Sequence, residues 1–287
     1  MSLTDRAAEF GENVTALTMP VPVPMTQSLL HHCALRYLPG LGELYKLPVE
    51  ERIEILSDPV RRDRMAKEAD APEAGQLRQF ADFGQYLIGD TYCAENKKYE
   101  GRLVRDIAAE WGVEPFTAMV EIALRDQLRT VLWPVAVSSD ADWELRRRAW
   151  RSEGVLIGGS DAGAHLDRMC GAPYTTTFLA DVLRGTRLIP IEEAVYQITA
   201  APADFYRLAE RGRLLPGYHA DVVVFDPRTV GAGPAHFAAD LPGGAKRLFA
   251  ASTGVNRVLV RGVETLVDGK STGALPGAII RSGTGTR

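Results

Sequence analysis

A carboxylate and an imidazole four positions apart, Asp161 and His165, stand on a glycine-rich stretch that reads Gly154-Val155-Leu156-Ile157-Gly158-Gly159-Ser160-Asp161-Ala162-Gly163-Ala164-His165. Val155, Leu156 and Ile157 form an apolar run with no polar alternation, which reads as a strand buried on both faces, the kind found in parallel sheets and barrels. Asp161 then follows the C-terminal end of that strand. In barrel and doubly wound folds the ligand crevice lies at this end, so an acidic residue there is a candidate metal ligand or general base. A structural reading stands beside the chemical one on even terms: Ser160 or Asp161 caps the next helix.

The elements around this stretch alternate in type. Val131 to Val137 reads as a strand, and Asp140 can cap a helix running through Trp150. The buried strand follows, so strand, helix and strand succeed one another as in the right-handed parallel crossover of α/β folds. Further helices are expected over Thr176 to Arg184 and Pro190 to Thr199, with Pro190 at a helix start and Glu192 and Glu193 near its positive end. Upstream, Asn13 to Met19 reads as extended, and Pro20, Pro22 and Pro24 then forbid helix and central sheet pairing. From Gln27 to about Tyr99 the chain is an excursion over a larger core, with helices at Pro48 to Leu56 and Pro59 to Glu68 and a strand around Tyr86 to Ile88. Arg102 to Trp111 and Pro115 to Arg129 carry apolar residues at helical spacing, and Gly112 separates them as a C-terminal cap. After about Leu215 short strands punctuated by Gly and Pro take over: Asp221 to Phe225, Asn256 to Arg261 and Glu264 to Val267.

Composition narrows the class of partner. The 287 residues are 46% hydrophobic and 24% charged, the balance of an ordinary globular chain. A net charge of −4 offers nucleic acid and anionic membrane no long-range attraction, so a small molecule is the expected partner. Three widely spaced cysteines, Cys33, Cys93 and Cys170, indicate neither a disulfide framework nor a zinc ribbon and suit a reducing cytoplasm. The first residues lack a secretory pattern and no apolar run reaches the span of a bilayer. On that expectation the sequon Asn13-Val14-Thr15 stays unmodified.

Three motifs in order carry a resemblance: Ile157 to His165, the helix opened by Pro190-Ile191-Glu192-Glu193-Ala194-Val195, and Gly212-Arg213-Leu214-Leu215-Pro216-Gly217-Tyr218-His219-Ala220-Asp221-Val222-Val223-Val224-Phe225-Asp226-Pro227. Together they resemble metal-dependent amidohydrolases, in the branch of the N-acyl-D-amino-acid deacylases (D-aminoacylases), and specifically the C-terminal portion of such a chain. The likeness is firm from about Arg102 to Ile280 and looser from Asn13 to Met25. It implies an α/β fold: a partial (β/α)8 TIM-like barrel, its last two or three units, followed by a small β-sandwich module. Residues 1–214 would form the barrel part, with the surface excursion at about 27–99, and residues 215–287 the β-module.

The resemblance also implies chemistry. In the family one or two divalent ions, usually zinc, sit at the C-terminal mouth of the barrel, and Asp161 matches the aspartate after the eighth strand, which touches metal. That carboxylate takes a proton from metal-activated water and returns it to the leaving amine, serving as general base and then acid. His165 would bind substrate or orient Asp161, or else lie one layer out as a capping residue. Arg168 would pair with the carboxylate of an acyl amino acid, a task suited to a guanidinium, or be a surface arginine. His219 and Asp221 are structural in this reading, with Asp221 fixing a turn. The substrate would be an acyl amino acid or a related amide, and cyclic-amide hydrolases of the same superfamily share much of the last motif.

The family pattern also requires a His-x-His pair, a bridging acidic ligand and two later histidines, and none can be assigned among His31, His32, His165, His219 and His236. His31 and His32 are adjacent, so in a strand they would point to opposite faces; Cys33 beside them is a soft donor with no companion at metal spacing. A complete barrel takes about 250 residues, more than remain once the excursion is set aside. Metal binding and hydrolysis are therefore expected to need a missing N-terminal part or a partner chain, with a homo-oligomer as a further arrangement. Two other readings stay open: a non-catalytic remnant kept for assembly, and a phosphate-cradling loop, which Asp161 would oppose by charge.

Overall fold

In the computed structural model, which describes residues 6–281 except 8, 13, 32 and 137, the chain folds as a mixture of short helices and short strands grouped in two compact units. One unit joins Met1–Val23 to Ser138–Arg287; the other is Pro24–Val137. The sequon residue Asn13 and His32 lie outside the described residues.

The inserted unit is mainly helical. Helices Val49–Ser57 and Pro59–Ala69 share Asp58, which closes the first and caps the second by accepting from Val60 N at 2.9 Å and Arg61 N at 3.3 Å. Proline at the first position of the second helix has no amide to orphan. Helices Val104–Trp111 and Pro115–Arg125 are separated by Gly112, whose left-handed backbone (φ 65°) ends the first, as its sequence context predicts. The second stops four residues short of the expected Arg129, because Gln127 and Leu128 both turn left-handed. Apolar faces of these helices meet Leu29, Leu35, Leu41 and Ile88 in one buried core. Two short antiparallel strands, Tyr86–Ile88 and Leu132–Pro134, pair along one side, so the expected parallel crossover from Val131–Val137 to Val155–Ile157 does not form: each of these strands takes another partner. Gln27 and Leu132 exchange backbone hydrogen bonds at 2.7 and 3.0 Å, tying the beginning of this unit to its end.

A buried carboxylate organises the same unit. Asp126 is fully buried and accepts from the Thr130 hydroxyl at 2.7 Å, Cys93 N at 2.7 Å and Tyr92 N at 3.1 Å. Burial alone pushes its pKa up, but these donors to the ionised form outweigh it and hold the group below the ordinary aspartate value.

The other unit opens with a parallel pair. Ala16–Thr18 lies beside Val155–Ile157 in the register Ala16 to Val155 and Thr18 to Ile157. Helix Asp140–Trp150 precedes the second strand. Its cap is Ser139 and not Asp140: Ser139 accepts from Asp142 N while the Asp142 carboxylate accepts from Ser139 N, a reciprocal capping box that leaves Asp140 in the first turn. Trp150 and Phe178 meet edge to face at 5.3 Å and pack with Ile157, Val21 and Ala194 into a buried core. Arg151 holds Glu193 through two 2.7 Å bonds, which fixes the end of the first helix against Ile191–Ile198.

Beyond helices Tyr174–Arg184, Ile191–Ile198 and Ala200–Phe205 the chain turns to strands. Val222–Phe225, Val255–Val260, Val263–Val267 and Lys270–Ser271 form a four-stranded antiparallel sheet with Val222–Phe225 on one edge. Two small antiparallel ladders, Gly231–Ala232 with Ser252–Thr253 and His236–Ala238 with Arg247–Phe249, complete this part. Among the described residues no helix is long and apolar enough to cross a membrane.

Candidate active site

The Asp161 loop is built on the ends of the two parallel strands. Gly158 N and Gly159 N both donate to Thr18 O, at 3.2 and 3.3 Å, so the exit of one strand is pinned to the exit of its neighbour. A side chain on Gly159 would lie 3.2 Å from Met19 Cγ, which leaves little room for any other residue. The chain then reverses: Ser160 Oγ accepts from Ala162 N at 3.1 Å, and Asp161 O accepts from Ala164 N at 3.1 Å. This turn holds Asp161 at φ 51°, a left-handed conformation that aspartate tolerates better than most residues.

The result is an exposed carboxylate beyond the C-terminal ends of two parallel strands, with no hydrogen bond or ion pair to its side chain among the described residues. It caps no helix. The next one, Tyr174–Arg184, begins behind Pro173, so the capping reading of Ser160 and Asp161 is overturned.

His165 and Arg168 follow on the same loop and contact each other. Arg168 Nη2 lies 2.7 Å from His165 Nδ1, and Arg168 Nη1 lies 3.5 Å from Asp167. His165, also left-handed at φ 48°, is exposed, whereas Arg168 is half-buried. His165 O accepts from both Arg168 N and Met169 N, which keeps the two side chains on one turn.

Two contacts anchor the loop from below. Leu248 N donates to Leu166 O at 2.8 Å, joining the loop to the Arg247–Phe249 strand. The position a Cβ would take on Gly171 lies 1.7 Å from Ser160 O and 3.3 Å from Ala162 N, so only glycine lets the chain pass directly beneath Asp161. Nothing in the sequence marked Gly171 beyond its place in a Cys-Gly-Ala-Pro turn. Burial pushes the Cys170 thiol up, partly offset by Arg247, so it is not a thiolate near neutral pH.

The remaining candidates lie elsewhere in the chain. Asp221 accepts from Arg261 N at 2.9 Å and pairs with Arg211, fixing the turn into the edge strand. His219 sits in the same connection, its amide bonded to Glu210 O. Cys33 is buried in the inserted unit, its thiol donating to Ser28 O at 3.1 Å, and His31 is exposed nearby. His236 packs edge to face on Phe249. Among the described residues no group of three His, Cys, Asp or Glu side chains is placed to hold a metal ion.

Comparison with known proteins identifies the family. The amidohydrolase family model, described as "Amidohydro_3: Amidohydrolase family", matches residues 78–272. The chain belongs to the amidohydrolase family. Its characterised relatives lie in the N-acyl-D-amino-acid deacylase branch. It is 32% identical over 176 residues to an N-acyl-D-glutamate deacylase of Alcaligenes xylosoxydans xylosoxydans, covering 60% of this chain and 32% of the relative. It is 31% identical over 142 residues to a D-aminoacylase of the same organism, covering 49% and 27%. A solved N-acyl-D-glutamate deacylase from Bordetella bronchiseptica, complexed with zinc and a phosphonate inhibitor, matches 93% of this chain and 43% of that one at 25% identity and a TM-score of 0.41. The chain thus spans less than half of each of these proteins.

Proposed function

We propose that this chain carries the aspartate-bearing part of an enzyme that hydrolyses the amide bond of N-acyl-D-amino acids. The observation behind this reading is the Asp161 carboxylate, unpaired among the described residues and presented on a left-handed turn past the ends of two parallel strands. In the proposed reaction Asp161 takes a proton from the attacking water and later returns it to the departing amine. Arg168, held by His165, would receive the substrate's carboxylate.

Among the described residues, the zinc of the Bordetella relative does not find its donors. Asp161 supplies one carboxylate, His165 has one ring nitrogen engaged by Arg168, and Cys170 is a buried thiol. These residues do not fit the ion as a set, so no step assigned to this chain runs through it. The missing donors would come from another stretch of polypeptide. The strand pair supports the same view: Leu17 is 56% and Met19 43% exposed, although parallel strands normally have both faces covered. We read the pair as belonging to a partial (β/α)8 barrel, its last two or three units, within residues 1–214 and interrupted by the inserted unit, followed by the β-module of 215–287, in a cytoplasmic protein. The absent donor set also favours a second reading, an assembly module without turnover of its own.

The test is complementation. Purified chain is mixed with the segment of the Alcaligenes N-acyl-D-glutamate deacylase that precedes the matched region, and N-acetyl-D-glutamate hydrolysis is followed with added zinc. Turnover is expected only in the mixture, and Asp161→Asn should lower it about 10²–10⁴-fold. Turnover indifferent to that substitution removes Asp161 from the mechanism; none in any mixture leaves the assembly module as the surviving reading.

A further inference from the structure

A cavity of about 430 Å³ lies between the helices Tyr174–Arg184 and Ile191–Ile198 and the edge strand Val222–Phe225, away from the Asp161 loop in sequence and in lining. Its volume falls within the range of small-molecule pockets, about 300–1,000 Å³. Its walls are mostly apolar, from the aliphatic Leu179, Val195, Ile198, Val222 and Val223 and the ring of Phe225. The charged groups at its rim are already matched. Arg213 forms a two-pronged pair with Asp204 at 2.7 and 2.5 Å, and Asp221 pairs with Arg211. An anionic head would have to displace Asp204 from Arg213, and a cationic head Arg211 from Asp221. A charge carried deeper would be desolvated without a counter-ion.

The hydroxyls divide in the same sense. Thr176 donates to Pro173 O at 3.1 Å and Thr199 to Val195 O at 2.6 Å. Thr175, half-buried, lines the cavity, and its hydroxyl has no partner among the described residues. It is thus the polar anchor left over on an otherwise apolar wall.

We propose that this cavity is a second, non-catalytic binding site for a neutral aliphatic molecule with a single hydrogen-bonding head, such as a medium-chain alcohol or primary amide. The apolar walls supply affinity through burial, and Thr175 orients the head. The proposal is independent of the Asp161 reading, because no residue is shared between the two sites.

The full chain is titrated with 1-octanol, octanoate and octylammonium, each followed by methyl NMR shifts of the lining valines and leucines. Saturable binding of octanol is expected, with both charged analogues at least tenfold weaker. Thr175→Val should weaken octanol about tenfold, the loss of one good hydrogen bond. Val223→Trp, at a rim position 55% exposed, should block the site. If that variant misfolds by circular dichroism, Leu214→Trp at the 74% exposed rim position takes its place. Non-saturable octanol shifts, equal binding of octanoate, or binding unchanged in the blocked variant would overturn the assignment.

Discussion

Replacing Gly171 by alanine is the sharpest test of how the Asp161 loop is held. The added methyl would sit 1.7 Å from Ser160 O, whereas real Cβ contacts are not seen under 3.0 Å. Relief therefore requires a relative movement of more than about 1 Å between Gly171 and the Ser160–Ala162 turn. The neighbouring bonds decide which side yields. Leu248 N to Leu166 O and the buried Cys170 hold the lower strand of the loop. The upper turn is exposed and fixed by the Ser160 to Ala162 and Asp161 to Ala164 bonds, so the upper turn should move. Overpacking of this kind costs about 1–3 kcal/mol, or a fall in Tm of about 2–12 °C for a domain of this size. Amide hydrogen exchange should quicken at Ala162 and Ala164 and stay unchanged in the inserted unit. In the complemented enzyme, a displacement of about 1 Å should lower kcat about 10²-fold, with a smaller change in KM. If Gly171→Ala leaves exchange at Ala162 and Ala164 and the Tm as they were, Gly171 does not position Asp161.

Two predictions concern the inserted unit. Asp126→Ala orphans the Thr130 hydroxyl and the amides of Tyr92 and Cys93 in a buried place, so it should cost about 3–5 kcal/mol by urea unfolding; a loss below about 1 kcal/mol contradicts the role given to this carboxylate. Glu100 is pushed down to about 2 by Lys97 first and then by the hydroxyl and amide of Thr91. A folded-state value below the unfolded one of about 4.3 means that the stabilisation is complete above that pH and is lost as pH falls from about 5 through 2. Glu100→Gln should flatten this segment of the urea-midpoint curve, and an unchanged slope would refute the assignment.

Much of the architecture could be read from residue order, and the exceptions have physical causes. Pro59 and Pro115 mark helix starts because their φ is fixed in advance, and Gly112 marks a helix end because it alone enters the left-handed region freely, so these boundaries lie where expected although the Pro115 helix ends early, at Arg125. The strand Val155–Ile157 was legible because only a strand covered by other elements has use for three consecutive apolar residues, and Leu156 and Ile157 are buried. Ser139 was missed as the cap because Asp140 is an equally good capping residue by type; the reciprocal bond with Asp142 decides between them. The short 3₁₀ turns at Ala34–Tyr37, Leu44–Lys46 and Ala94–Tyr99 carry no periodic pattern, since three or four residues span barely one turn and the longest only two. Asp161, His165 and Arg168 drew attention through a motif and lie on one loop, whereas Gly171 drew none, because its importance lies in a contact with Ser160 eleven positions earlier.

The backbone exchange between Gln27 and Leu132 bears on how the chain reaches its final shape during synthesis. Thr18 must find Ile157 about 140 positions later, a search whose entropic cost rises with the logarithm of the intervening length. At a ribosomal rate of about 5–20 residues per second, the whole of Pro24–Val137 emerges about 1–4 seconds before Val155 does. If that unit folds as it appears, its clasped ends shorten the open tether to about nine residues before Gln27 and about twenty-five after Leu132, and the search for the distant pairing becomes a much shorter one. The insertion would then act as a built-in chaperone of the parallel strands, and loosening the clasp should slow refolding of the outer unit while leaving its final stability largely intact.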